Sequence, residues 1–401
     1  MNKAAILIFA IFLSCESSNQ RSISSQNVET IQVDLDSSQS SLNMSEFFSE
    51  LNYYEIKSLP GESVGRIRKV MVQDDFIGFY DEARQCVWIN RIEGEFVEKV
   101  SIPRGRGPGE IERLSDVIFT ENDQVHALGA FKIVVYDLEG NLLNEIKLDF
   151  FIYKFVYEPT AERYIGYAAN SLNTQLNNNH SGKNLIIFDT NGEIIDSKIP
   201  IPKGRDHMKF MISNRFPEYK NETLFFPHLS DTVYNVSENK IVPKYALDFN
   251  ENSISQEVFN KRENYSLVPQ EWVDFNESEL INNDFVMFHF FFNEVESFLH
   301  FRVGTGENVY NIIYDKNNDV AHVGPEKLTN DIDNGFVPFF YETDDNRMYS
   351  VIESNELLRH MNQVYENNYE TYTDPKMSEL RDLVQTLSDN SNPILQIATF
   401  K

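Results

Sequence analysis

Cysteine and positive charge are what this sequence has least of. Cysteine occurs twice in 401 residues, at Cys15 and Cys86, so a disulfide framework is excluded. Lys and Arg number 35 against 62 Asp and Glu, which leaves a net charge of -27. That balance argues against nucleic acid and against electrostatic adsorption to anionic lipid. The eight histidines are scattered, with no H-E-x-x-H and no H-x-H, so a zinc site has little support. The N-terminal apolar run, Ala4 to Leu13, spans ten residues. A membrane-crossing helix needs about 20.

What is present begins with that run. Lys3 precedes it as a short positive region, and Leu13-Ser14-Cys15 follows. A small residue before a cysteine at the end of such a segment resembles a bacterial lipobox. The resemblance implies cleavage after residue 14 and lipidation of Cys15; the alternative is an ordinary secretory signal with a chance cysteine. Residues 15–45 are rich in Ser, Gln, Asn and acidic side chains without a sustained period. They read as a flexible tether, with a reach of roughly 30 Å for about 30 residues. The expected location is the bacterial cell envelope, lipid-anchored to the outer membrane, on its periplasmic side or at the cell surface.

Aromatic residues make up 13% of the chain, and Phe, Tyr, Ile and Val dominate the apolar runs, which favours strands. A unit recurs: an apolar strand, an Asp, two residues, a Gly, and a second alternating strand. "VVYDLEGNLLNEIKL" (134–148) and "LIIFDTNGEIIDSKIPI" (185–201) are the clearest copies. "VWINRIEGEFVEKVSI" (87–102), "TVYNVSENKIVPKYAL" (232–247) and "IIYDKNNDVAHVG" (312–324) are more worn. Asp, Asn and Gly tolerate the turn, and β-branched and aromatic residues pair beside it. Recurrence about every 45–50 residues is the mark of a β-propeller.

"FVPFFYETDDNRMYSVIES" (336–354) adds a sixth copy, so the fold class is all-β, a six-bladed β-propeller over 46–401 with a few peripheral helices near the C-terminus. A helical insertion is expected at about 250–282. Helices at about 355–388 follow, on the outside of the ring, the first with a stripe of Leu357, Leu358, Met361, Tyr365 and Tyr369. The last strand, about 393–401, should share a blade with residues 51–59, leaving no open edge.

Several stretches resemble a family, the bacterial 6-bladed beta-propeller lipoproteins, related in architecture to NHL-repeat propellers. They are the lipobox-like Cys15, "GRGPGE" (105–110), "DLEGN" (137–141), "SDTVYNV" (230–236) with "PKYALDF" (243–249), and "NPILQIATFK" (392–401). The resemblance implies the fold, an envelope location and a non-catalytic or unassigned role.

"PRGRGPGE" (103–110) is the first candidate site. Its Gly-rich backbone, with Gly107 and Glu110 beside Arg104 and Arg106, suits either an anion cradle or an irregular turn in which an arginine pairs with Glu110. The turn is the simpler reading. His228 and Asp231 form a second candidate where a loop leaves a blade. "GESVG" around Ser63 lacks the strand-to-helix context of a nucleophile elbow. "DKNNDVAHVGPE" (315–326) has a calcium-loop spacing but Val320 where that loop needs Gly, so a hairpin turn fits better. "DIDNG" (331–335) is a weaker oxygen cluster, and Cys86 reads as a buried thiol. No catalytic residue, metal or cofactor is assigned. The expected role is a binding or scaffolding module for a protein, peptide or glycan, with a propeller lyase or hydrolase acting on polysaccharide or modified peptide as the alternative.

Overall fold

Turn chemistry sets the strand boundaries. The computed structural model describes residues 28–206, 208, 216–220, 222–237, 240–264, 269–338 and 340–401. Asp137 accepts the backbone N–H of Asn141 at 2.7 Å, and Gly140 takes φ +80°. Asp189 accepts the N–H of Glu193 at 2.9 Å, with Gly192 at φ +86°. Gly192 also presses against the Lys147 carbonyl so closely that a Cβ would overlap it, which no other residue could tolerate. The calcium-like stretch is the same device: Asp315 accepts from the N–H groups of Asn317 and Asn318 at 2.8 and 3.1 Å.

Two strands, β1 (Glu29–Gln32) and β2 (Phe48–Glu55), precede the repeats. The first sheet is β3 (Ile67–Gln73), β4 (Phe76–Asp81), β5 (Cys86–Arg91) and β6 (Phe96–Ser101). The second is β7 (Asp116–Thr120), β8 (Gln124–Leu128), β9 (Lys132–Tyr136) and β10 (Leu142–Lys147). The third is β11 (Lys154–Glu158), β12 (Arg163–Tyr167), β13 (Lys183–Asp189) and β14 (Ile194–Pro200). The fourth is β15 (Glu218–Tyr219), β16 (Glu222–Phe225), β17 (Thr232–Asn235) and β18 (Val242–Asp248). The fifth is β19 (Phe288–Glu294), β20 (Phe298–Gly304), β21 (Val309–Asp315) and β22 (Val320–Pro325). The sixth takes β23 (Phe340–Thr343), β24 (Arg347–Ile352) and β25 (Ile394–Phe400) from one end of the chain and β2 from the other. Its register places Leu51 opposite Ala398 and Tyr53 opposite Gln396.

Apolar layers join each sheet to the next. Val87 and Ile89 meet Val117 and Val125 between the first two. The succession returns to its start: Tyr349, Leu395 and Ile397 of the sixth sheet pack on Val70, Ile77 and Trp88 of the first. The first strands touch as well, β3 with β7 and β23, β7 with β11, and β19 with β15 and β23. Repetition at one period thus produces side-by-side sheets rather than two stacked layers.

Four is an even number, so each antiparallel sheet finishes at the end where it began. Connections after the second and fourth strands therefore all leave from one end, called here the upper end. Short turns after the first and third strands occupy the lower end. The insertion at 250–283 follows a fourth strand, and the C-terminal helices follow a second strand, so both lie above.

Three expectations are corrected. The tether is shorter than 15–45. From Glu29 the chain is packed: β1 lies parallel to β18, with Ile31 opposite Leu247, and Ile31, Val33 and Leu35 enter the layer between the fourth and fifth sheets. Alternate apolar residues at 31, 33 and 35 carry that strand, and the surrounding Ser and Asp masked them. Second, the helices Ser354–Asn367 and Ser378–Thr386 sit over the end of the sixth sheet, not outside it; Leu357, Met361 and Leu380 cover Ile352 and Ile394. Tyr365 and Tyr369 leave the apolar stripe and pack against each other and Tyr372 on the surface. Third, the Asp344–Asn346 turn joins first and second strands, whereas the other five markers join third and fourth. In the sixth sheet that place belongs to the two chain ends. Cys15 lies outside the described residues.

The packed N-terminus is open to direct test. Ile31→Ala should lower stability by about 2–4 kcal/mol, the usual cost of emptying a fully buried isoleucine site. Chemical denaturation checks it, and an unchanged midpoint would return this segment to the tether.

Candidate functional site

The loop 103–110 follows β6 at the upper end, between the first and second sheets, and it satisfies itself. Glu110 turns its carboxylate back to accept the N–H of Gly107 at 2.8 Å. A side chain at Gly105 would overlap that carboxylate, so glycine there makes room for it. Gly109, at φ +71°, donates its N–H to Glu145 at 3.0 Å, and its carbonyl accepts the Tyr136 hydroxyl at 2.6 Å. The cradle is thus filled by the protein's own carboxylates. Arg106 pairs with exposed Glu112 at 2.6 Å, and Arg104 is exposed.

His228 and Asp231 lie elsewhere, on the connection between β16 and β17. The structure does not bring them to the glycine loop. They belong instead to the surroundings of a cleft of about 330 Å³ between the third and fourth sheets, lined from the connections after β14 and β16 as far as Ile241 on the turn before β18. His228 lines it, with Arg205, Tyr234, Lys198 and an apolar wall that includes Pro202 and Pro227. Asp231 stands 3.6 Å from Nε2 of fully buried His289.

Arg205 is the residue that the sequence reading missed. It follows β14, and its guanidinium lies 4.0 Å from the ring centroid of Phe259, in the insertion. Nη1 donates to the Leu229 carbonyl, and Nε is buried with no hydrogen-bond partner among the described residues. Burial pushes the guanidinium down to about 10, with Asp231 and Tyr234 pulling it back up, so it stays charged at neutral pH. Gly204, at φ +82°, brings the backbone against this insertion; a Cβ there would sit 2.7 Å from the Phe259 carbonyl. A signal existed in the sequence. "IPRGR" (102–106) and "IPKGR" (201–205) are one motif after the fourth strands of the first and third sheets, placing Arg106 and Arg205 in corresponding positions.

The other motifs are structural. Ser63 sits in a coil before β3 and accepts from Arg84 at 2.6 Å, while nearby Gly65 donates its N–H to Asp81. Asp331 accepts the N–H of Ser45 at 2.9 Å, and Asp333 accepts the hydroxyl of Tyr53 at 2.7 Å, so "DIDNG" ties the N-terminal segment to the body. Burial holds His126 and His300 at about 4, hence neutral, and pushes the Cys86 thiol up to about 12. Among the described residues, no group of three or more His, Cys, Asp or Glu is placed to hold a metal ion.

Charge also converges on the first strands. Asp116 is gripped by Lys69 at 2.9 Å and Lys154 at 3.1 Å. Glu342 is half-buried near Lys69, Glu218 and Asp116, and its carboxyl is pushed up to about 8, foremost by burial.

Six repeated sheets of four strands, each packed on the next, define a β-propeller. The chain belongs to the family described as Domain of unknown function (DUF4934), whose model matches residues 28–399. Among solved structures it is similar to a protein of Bacteroides fragilis NCTC 9343 (BF0058) named as exported. The two share 18% identity and a TM-score of 0.71, over 93% of this chain and 99% of that one. A member of the duf4221 family from Bacteroides vulgatus matches at 8% identity and TM-score 0.42, covering 88% of this chain and 97% of that one. The β-propeller domain of the Trilobed protease from Pyrococcus furiosus matches at 10% and 0.34, covering 71% and 77%. No curated protein matches.

Glu342 yields a pH prediction. Its pKa is raised on folding from 4.5, so the native state keeps a proton that the unfolded chain releases. Stability should therefore fall as pH rises from about 4.5 toward 8. Glu342→Gln should match the wild type near pH 4.5 and exceed it above pH 8 by about 1–2 kcal/mol, a figure discounted for solvent reaching the carboxyl. Parallel pH-dependent melts that never diverge would remove the burial effect.

Proposed function

We propose that the protein is a six-bladed propeller of the bacterial cell envelope that acts as a binding or scaffolding module for a protein, peptide or glycan. The observation that carries this reading is the asymmetry of the two ends. The connections after the second and fourth strands, with both the insertion and the C-terminal helices, gather at the upper end, while short turns join the first to the second and the third to the fourth strands within the sheets. Loops of variable length on a rigid repeated frame are where binding surfaces arise. The return of the sixth sheet onto the first supports six blades. The likeness to a protein named as exported, together with the N-terminal apolar run, supports the location. In this reading a lipid on Cys15 holds the module to the outer membrane. The lyase or hydrolase reading rests on the Asp116, Glu218 and Glu342 cluster, whose Asp116 is already taken up by two lysines.

Anchoring is tested by Cys15→Ala in cells fed an alkyne-labelled fatty acid. Wild type should carry label and fractionate with membranes, and the variant should do neither. An unlabelled wild type would leave secretion without an anchor. The binding face is tested with a photo-crosslinking residue at Lys198 or, as the lower-end control, at Asn141. Adducts should form at Lys198 only; equal adducts at both would dismiss the upper end as the binding face.

A further inference from the structure

The cleft at Arg205 has chemistry specific enough to name a ligand class. A cation taken out of water needs an opposite charge or a full set of acceptors. Arg205 has one carbonyl acceptor, from Leu229, and no carboxylate within ion-pair distance among the described residues. Asp231 acts on it only through space and stands nearer His289. Lys198, also on the cleft, is already paired with Asp196 at 2.6 Å.

The backbone around the cleft is strained. Ile199, on its wall, has φ +54°, and Leu229, whose carbonyl receives Arg205, also has φ +54°. A β-branched or bulky residue in the left-handed region is held there by its surroundings, and such strain collects at ligand sites. Contact with the Phe259 ring and the Leu229 carbonyl holds the guanidinium in place before a ligand arrives. The wall beside it is apolar, from Ile199, Pro200, Pro202, Pro227 and Ile241.

We propose that this cleft binds a small organic carboxylate, its head paired with Arg205 and its apolar body lying on the proline and isoleucine wall. A single guanidinium matches a planar monoanion through two parallel N–H···O bonds, whereas a phosphate dianion would call for more donors. The cleft volume of about 330 Å³ suits a ring or short chain rather than a polymer. The corresponding Arg106 shows the same position without a site: it is exposed, and Glu112 already fills its fork. This inference rests on the binding-module reading but names only one pocket of it, so its failure leaves the crosslinking result standing.

The test is isothermal titration of the full chain, purified in mild detergent, with benzoate, cyclohexanecarboxylate, benzamide and inorganic phosphate. The expected result is saturable one-to-one binding of a carboxylate, with benzamide at least tenfold weaker. Arg205→Gln should lose at least tenfold, and Arg205→Lys should retain part of the affinity. Ile241→Trp fills the cleft while leaving the guanidinium in place, and should also abolish binding if Arg205→Gln fails to fold. Absence of carboxylate binding, equal binding of the amide, phosphate binding as tightly as carboxylate, or indifference to both Arg205→Gln and Ile241→Trp would each overturn the proposal.

Discussion

The pairing of β2 with β25 is the constraint on which the rest depends. It joins residues about 350 positions apart, and closing so long a loop costs roughly 5 kcal/mol beyond a constant. The backbone bonds of a seven-residue strand return about 1 kcal/mol each net. Burial decides the balance: Phe48, Leu51, Ile394, Leu395, Ile397 and Phe400 are all buried, at about 1.5–3 kcal/mol apiece when fully enclosed. Without that pairing the sixth sheet would expose an edge, and the first sheet would lose the partner face formed by Leu395 and Ile397.

From this constraint the placement of the long connections follows. Sheets that finish where they begin send every long connection to one end. The insertion at 250–283 therefore lands beside the connection after β14, where Phe259 meets Arg205. The N-terminal strand β1 contributes at the same fourth sheet, lengthening its outer edge beside β18. The fourth and fifth sheets are bound further by Glu294, which takes Lys244, Lys316 and the Tyr245 hydroxyl. This region thus carries the added strand and the insertion, and in it Arg205 has no carboxylate within ion-pair distance among the described residues.

Much of the architecture was legible because it is local and repeated. Asp137 with Gly140, and Asp189 with Gly192, announce their hairpins by turn chemistry that needs no distant partner. The last strand declares itself by apolar residues at 394, 395, 397 and 400. The site was less legible. Arg104 and Arg106 stood out by density, yet Glu110 and Glu112, close by in sequence, are what make that loop self-contained. Tyr365 and Tyr369 fit a helical stripe, but the helix ends at Asn367 and Asn368 turns the chain, so the two rings meet each other and solvent instead of a core.

The strands, their turns, the period that arrays them and the region of chain that completes the last sheet are written in the residue pattern, because each follows from contacts between near neighbours or from a unit that recurs. Which of two like arginines is buried was settled by packing. "IPRGR" and "IPKGR" are nearly the same words, but Gly204 takes φ +82° where Gly105 does not, and one arginine projects toward water and Glu112 while the other is laid on Phe259, some fifty residues further along. Burial and charge pairing depend on what the rest of the chain brings to a place, and a motif carries no record of its distant neighbours.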